Sequence, residues 1–289
     1  MRELELIELY CAICDYYDST LSSLAQRTSN SFCPKFSDEE CMATLIWGIA
    51  NQKYDVKRCY NFIKDYYGDW FPEMPSYQTY NKRICFLADA FKALAGILLG
   101  RLCLDASHAD FVYDSIPIVV ANSSRSGSAK VAEQLCNKGY CASKNMWYYG
   151  VKLHILAQCN YKAMSTPAFM MISKASEHDR SAAEQMLEGA RNIRVFADMA
   201  LIDKNWQTDM LTENNVEILT PIKREKGQEY LSSADRMFSR AVSSVKQAVE
   251  SLNNWLIEKT NIQRASKVRS AEGLCVFLFA RIACACFLF

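Results

Sequence analysis

Ala109-Asp110-Phe111-Val112-Tyr113-Asp114-Ser115-Ile116-Pro117-Ile118-Val119-Val120 is the stretch that decides the fold. Apolar, β-branched and aromatic residues dominate it, so it reads as a buried strand, with Pro117 marking its far end. One carboxylate, Asp114, sits inside the apolar run. Burying a lone charge is costly unless something pairs with it. A metal ion is one such partner, and the other acids that could join it are sought along the chain.

The 289 residues allow one large domain or two. Half are hydrophobic, enough for a sizeable core, and the net charge of +1 announces no polyanionic partner by itself. The distribution says more. Between residues 121 and 165, Arg125, Lys130, Lys138, Lys144, Lys152 and Lys162 face Glu133 alone. That bias suits a polyanion, and a solvated loop accounts for it equally. The 13 cysteines lack metal-site spacing: Cys11 and Cys14 form a lone CxxC in a helical pattern. Reduced, buried thiols in a cytoplasmic protein are the expectation. Residues 273–289 are very apolar but short for a membrane span and carry Arg281, so a buried terminal helix and no membrane are expected.

Residues 1–105 read as helical. Ser37 and Glu40 have capping-box spacing. A helix opening at Ser76 runs on through Ile84, Leu87 and Leu94. Its polar first turns carry Lys82 and Arg83, which would suit a recognition helix of a helix-turn-helix module; a wet first turn of an ordinary helix fits the same pattern. Beyond the Asp114 strand, residues 122–139 read as a loop. Strands are expected at 146–156, 168–172, 192–198 and 216–221. Helices are expected from Ser176 through Leu187, through Leu211, over 240–259, and at the end of the chain. The prediction is an α/β fold: a mixed five-stranded sheet over 106–289 with flanking helices, preceded by an all-helical region over 1–105.

Three acids stand out. Asp114 lies on the first strand, Asp198 ends the fourth, and Glu250 borders the apolar stripe Val242, Val245, Val249, Leu252 and Leu256 of the long helix. Phosphoryl transfer needs charge neutralised at both the attacking and the leaving oxygen, which two Mg²⁺ ions roughly 4 Å apart supply. Hard ions take oxygen ligands. Two Asp and one Glu meet that requirement; a solvated strand end and a boundary helix residue are the bland alternatives for Asp198 and Glu250.

The chain resembles the DDE transposases of bacterial insertion sequences, most of all the insertion sequence 982 family. The stretches that carry the likeness are Tyr113-Asp114-Ser115-Ile116-Pro117-Ile118, residues 139–144 with 147–154, residues 172–179, and residues 249–263 continuing through 265–270. The resemblance implies an RNase H-like, retroviral-integrase-like core. It implies a catalytic and metal-binding triad of Asp114, Asp198 and Glu250 holding two Mg²⁺ (or Mn²⁺) ions. Cleavage by water and then strand transfer by a DNA 3′-hydroxyl would follow at the ends of the element. Lys246, Lys152, Lys144, Arg125, Lys82 and Arg83 are the expected contacts to double-stranded DNA; Lys152 and His154, on the second strand, could contact substrate, and a structural role fits them equally. Joining two ends implies a homodimer in the active complex. One departure stands out: after Asp198 the resemblance leads one to expect a basic residue and then an aromatic, but Met199, Ala200 and Leu201 follow. That keeps a weakened or inactive DNA-binding derivative in play. A general metal-dependent nuclease needs the same triad.

Overall fold

The computed structural model describes residues 2–25, 34–102, 109–160 and 163–289. The chain divides into two compact units. The first comprises Met1–Leu99, Lys130–Gln134 and Leu256–Phe289; the second comprises Gly100–Ala129 and Leu135–Trp255.

The first unit is helical: α1 (Arg2–Ser19), α2 (Asp38–Ala50), α3 (Val56–Tyr66), α4 (Tyr77–Phe86), α5 (Ala88–Leu102, its last residues beyond the unit) and the terminal α9 (Ala271–Leu288). The Ser37 capping box is present: Glu40 N–H donates to Ser37 Oγ at 3.2 Å, and Ser37 N–H donates to Glu40 Oε2 at 2.5 Å. The single helix expected from Ser76 is two. It breaks at Leu87, whose amide bonds back three residues to Ile84 O while its buried side chain holds the corner. The apolar α9 packs against α2 and α4. By length and composition α9 alone among the described residues could cross a membrane, and half of it is buried inside the protein. No disulfide forms among the described residues, and Cys11 and Cys14 are free thiols.

The second unit holds a mixed six-stranded sheet: β1 (Asp110–Ala121), β2 (Asn137–Cys141), β3 (Met146–Gln158), β4 (Thr166–Lys174), β5 (Ile193–Phe196) and β6 (Val216–Leu219). The order is β2-β3-β1-β5-β6, with β4 also on β3. β3 is long enough for β2 to pair with its first five residues and β4 with the rest, on the edge away from β1. β3 runs antiparallel to β1, β2 and β4, while β5 is parallel to β1 and β6 to β5. Five strands were expected. The sixth, β2, comes from the end of the stretch read as loop: alone it is too polar to signal a strand, and the fixed edge of β3 recruits it. β1 does not end at Pro117 either. Its β5 partnership covers only Asp110–Val112, so at Pro117 one edge carries no ladder and the missing N–H costs no sheet bond there.

Helices α6 (Asp179–Met186) and α7 (Lys204–Asn214) cover one side through Leu187, Trp206, Val195 and Ile218. The long α8 (Ser233–Thr260) brings its apolar stripe to the second unit at Val242, Val249 and Leu252, each 1% exposed or less.

Gly150 stands where the β1–β3 register slips between Val119 and Ala121. A Cβ there would run into the carbonyl oxygen of Ile118 and the amide nitrogen of Val120. Both are backbone atoms, so no rotamer change relieves the clash. Gly150→Ala is expected to lower stability by about 2–3 kcal/mol, read as a fall in the urea midpoint at unchanged slope; an unmoved midpoint would show that the slip has room to spare.

Candidate active site

Asp114 and Asp198 are brought together by strand register. Val112 pairs with Phe196 in the parallel β1–β5 ladder, an offset of 196 − 112 = 84. Asp198 and Asp114 share it, 198 − 114 = 84, two residues past the last paired rung, and the Asp198 charge is felt at Asp114, whose pKa it helps to raise. The chain is still extended at Asp198, with φ −76° and ψ 165°, before a short 3₁₀ turn over Met199–Leu201. Neighbouring strands run about 5 Å apart, so the two acids share one electrostatic neighbourhood.

Helix α8 supplies what answers them. Lys246 is buried, and its Nζ forms an ion pair with Asp198 Oδ1. Asn253 is buried too, and its Nδ2 donates to Asp114 Oδ2 at 2.7 Å. Seven residues separate them, about two helical turns, so they project from one face. Burial pushes Asp114 up to about 6; Lys246 and the Ser115 amide oppose that, and Asp198 and Asp179 add to it. A carboxylate held in this way gains from any added positive charge.

Glu250 lies between Lys246 and Asn253 on the helix, rotated by about 40° from Lys246. Its side chain is exposed, and it makes no three-acid cluster with the other two: among the described residues no three His, Cys, Asp or Glu gather closely enough to hold a metal. The donor set nevertheless suits a hard divalent ion. It consists of carboxylate oxygens and, beside them, Asn253 Oδ1, which is buried and has no hydrogen-bond partner among the described residues. A buried acceptor without a donor is costly, and a water on a bound ion is the group that would satisfy it. Asn253 was not foreseen from sequence; its only signal there is a polar amide on the border of an apolar stripe, three residues past Glu250.

The expected DNA contacts separate into three sorts. Lys246 is taken up by Asp198. Lys152 donates to Glu177 O and to Asp179 Oδ1, each at 2.8 Å, which pins the start of α6. Arg125 and Lys144 are exposed on the second unit. In the first unit Lys82 is exposed over the Phe86 ring, while Arg83 is drawn inward. Arg83 bonds to buried Asp38 and gives Nη1 to Phe36 O at 3.0 Å; Tyr17 O–H donates to the other Asp38 oxygen at 2.5 Å.

His154 is fully buried in a hydrogen-bonded chain rather than open to a substrate. Tyr113 O–H donates to Asp179 O at 3.0 Å, so it must accept from His154 Nδ1–H at 2.6 Å, and His154 Nε2 lies 2.7 Å from Ser173 Oγ. Burial, aided by the Lys152 charge and opposed by Asp179, drops its pKa from 6.5 to about 4.

A family model described as a transposase DDE domain matches residues 106–268. This is more than half of the chain, and the chain belongs to that family. No curated protein matches it. The mixed sheet with flanking helices and a helical front is thus the RNase H-like fold of DDE transposases, and the protein is a transposase-class enzyme acting on DNA. Members of the family generally use divalent metal ions.

Two outcomes follow. The depressed His154 pKa contributes stability that is whole above pH 6.5 and lost as the pH falls toward 4, up to about 3 kcal/mol; urea midpoints for wild type and His154→Gln should converge over that window, and parallel curves would contradict it. Arg83→Ala strands a buried carboxylate and should cost about 3–5 kcal/mol. A variant with unchanged Tm and weakened DNA binding would instead make Arg83 a DNA contact.

Proposed function

We propose that this enzyme binds the ends of an insertion sequence and carries out metal-dependent cleavage and strand transfer there, with Asp114, Asp198 and Glu250 as the catalytic carboxylates. The observation that carries the proposal is the shared register offset that sets Asp114 beside Asp198, with Lys246 and Asn253 aimed at the pair from one helix face. We assign it further to the insertion sequence 982 group, on the stretches quoted above.

Asp114, Asp198 and Glu250 would hold two Mg²⁺ or Mn²⁺ ions. When bound, these ions neutralise charge on the phosphodiester and on the attacking and leaving oxygens. The protein's own part is positioning. Asp114 is fixed by its strand and by the Asn253 amide, so its oxygens are preorganised. Asp198 is held by Lys246, which balances both acids while no other cation does. Glu250 is exposed one turn from Lys246 on the same helix, and it is the third carboxylate of the proposed set. Double-stranded DNA is the substrate and target, a homodimer brings two ends together, and the cytoplasm is the place of action.

A second reading, a DNA-binding derivative with weakened catalysis, draws on Met199. It is 54% exposed immediately after Asp198, where a basic side chain would meet phosphate. Leu201, by contrast, is buried in the core of the unit.

Purified protein with Mg²⁺ should nick duplexes bearing its own element ends in preference to random duplex. Asp114→Asn should slow nicking on the order of a thousand-fold or more and abolish the rise in Tm that Mg²⁺ gives the wild type. Binding without nicking supports the second reading; equal cleavage of random duplex means a general nuclease.

A further inference from the structure

We infer that Asn253 is a positioning residue that chooses the cation: its amide commits Asp114 to a metal through one oxygen and keeps a place for a water the ion retains, so the site prefers Mg²⁺ to Ca²⁺. The inference rests on the reading of Asp114 as a metal ligand and concerns which ion that ligand accepts.

Asn253 sits on α8 between the buried Leu252 and Leu256 and is itself only 5% exposed. A polar side chain there has to answer for both ends of its amide. One end is answered: Nδ2 donates to Asp114 Oδ2 at 2.7 Å. The other is not: Oδ1 is buried and has no hydrogen-bond partner among the described residues. Turning the amide over gives no relief. Its oxygen would then face a carboxylate oxygen, two acceptors with no proton between them. A tie between helix and strand needs only the donor, and the open acceptor is a cost with no structural return. A water held by a neighbouring ion supplies the missing proton.

Both ends of the amide favour the same kind of ion. Asp114 Oδ2 already accepts a bond from a fixed donor, so Asp114 Oδ1 is the oxygen left to meet a cation. Mg²⁺ suits that offer. It takes an octahedron of oxygens roughly 2.1 Å away, uses few carboxylates and holds on to its waters. Ca²⁺ gathers more oxygens at longer range and often takes both from one carboxylate. The charges nearby do not make this choice. Asp179 is paired with Lys152 and Asp198 with Lys246, and their fields act alike on any divalent ion. Denticity and retained water separate the two metals; charge does not.

The measurement is of affinity, not turnover. Melting temperatures of full-length protein are followed against MgCl₂ and against CaCl₂ at fixed ionic strength, and the concentrations that give an equal rise are compared. Wild type should need about five-fold or more less Mg²⁺ than Ca²⁺. Asn253→Ala should lower the metal-free Tm, as loss of any tie would, and also bring the two concentrations within about two-fold of each other. Should that variant fold poorly, Asn253→Ser, too short to serve both Asp114 and a water, is read in the same way. Asn254→Ala, on the exposed side of α8, should keep the wild-type preference. A purely structural Asn253 would lower the metal-free Tm and leave the preference intact, which overturns the proposal. Equal responses of the wild type to both ions overturn it too. A wild type that answers neither ion, or Asp114→Asn answering Mg²⁺ as wild type does, overturns the catalytic reading as well, so the two failures are told apart.

Discussion

Two carboxylates on neighbouring strands repel each other, and the second unit tolerates Asp114 and Asp198 side by side because Lys246 offers its charge to both. The ion pair with Asp198 and the opposing pull on the raised pKa of Asp114 come from the same buried ammonium. Removing one partner of such an arrangement costs more than the arrangement contributes, since what remains is an unbalanced buried charge. Two carboxylates sharing one ammonium keep an energetic reason to attract further positive charge. A cation with two charges would satisfy two carboxylates better than a single ammonium can.

The rest of the second unit serves that juxtaposition. β1 must run antiparallel to β3 and parallel to β5 at once, which fixes its register from both edges. Gly150 permits the slip that ends the β1–β3 ladder. The buried stripe of Val242, Val249 and Leu252 sets the rotation of α8, and the rotation aims Lys246 and Asn253 at the acids. The chain from Ser173 through His154 and Tyr113 to Asp179 lies next to Asp114 along β1 and ties the strand to the start of α6. Lys152, on the same face of β3 as His154, finishes that tie. Two residues with catalytic-looking chemistry thus act as scaffold.

Much of this was legible in the chain. A charge inside an apolar run singles out Asp114, and a strand ending on a carboxylate singles out Asp198, because both are local patterns. The stripe of α8 showed on which side Glu250 lies, though not how far its carboxylate stands from the others. What stayed hidden depends on distant partners. Arg83 finds Asp38 across 45 residues; nothing near Arg83 distinguishes that from a basic residue waiting for DNA. β2 exists because β3 offers an edge, and α4 ends at Leu87 because tertiary packing bends the chain there, not because a proline or glycine does. Asn253 carries no charge to draw notice.

The central claim is that Asp114 and Asp198 form one cation-binding pair currently balanced by Lys246. The most direct measurement is anomalous scattering from crystals soaked in Mn²⁺. The account predicts a manganese peak within ligand distance of an oxygen of both aspartates, with Glu250 turned toward it and the Lys246 ammonium withdrawn from Asp198. Manganese bound elsewhere while Lys246 remains on Asp198 would contradict it.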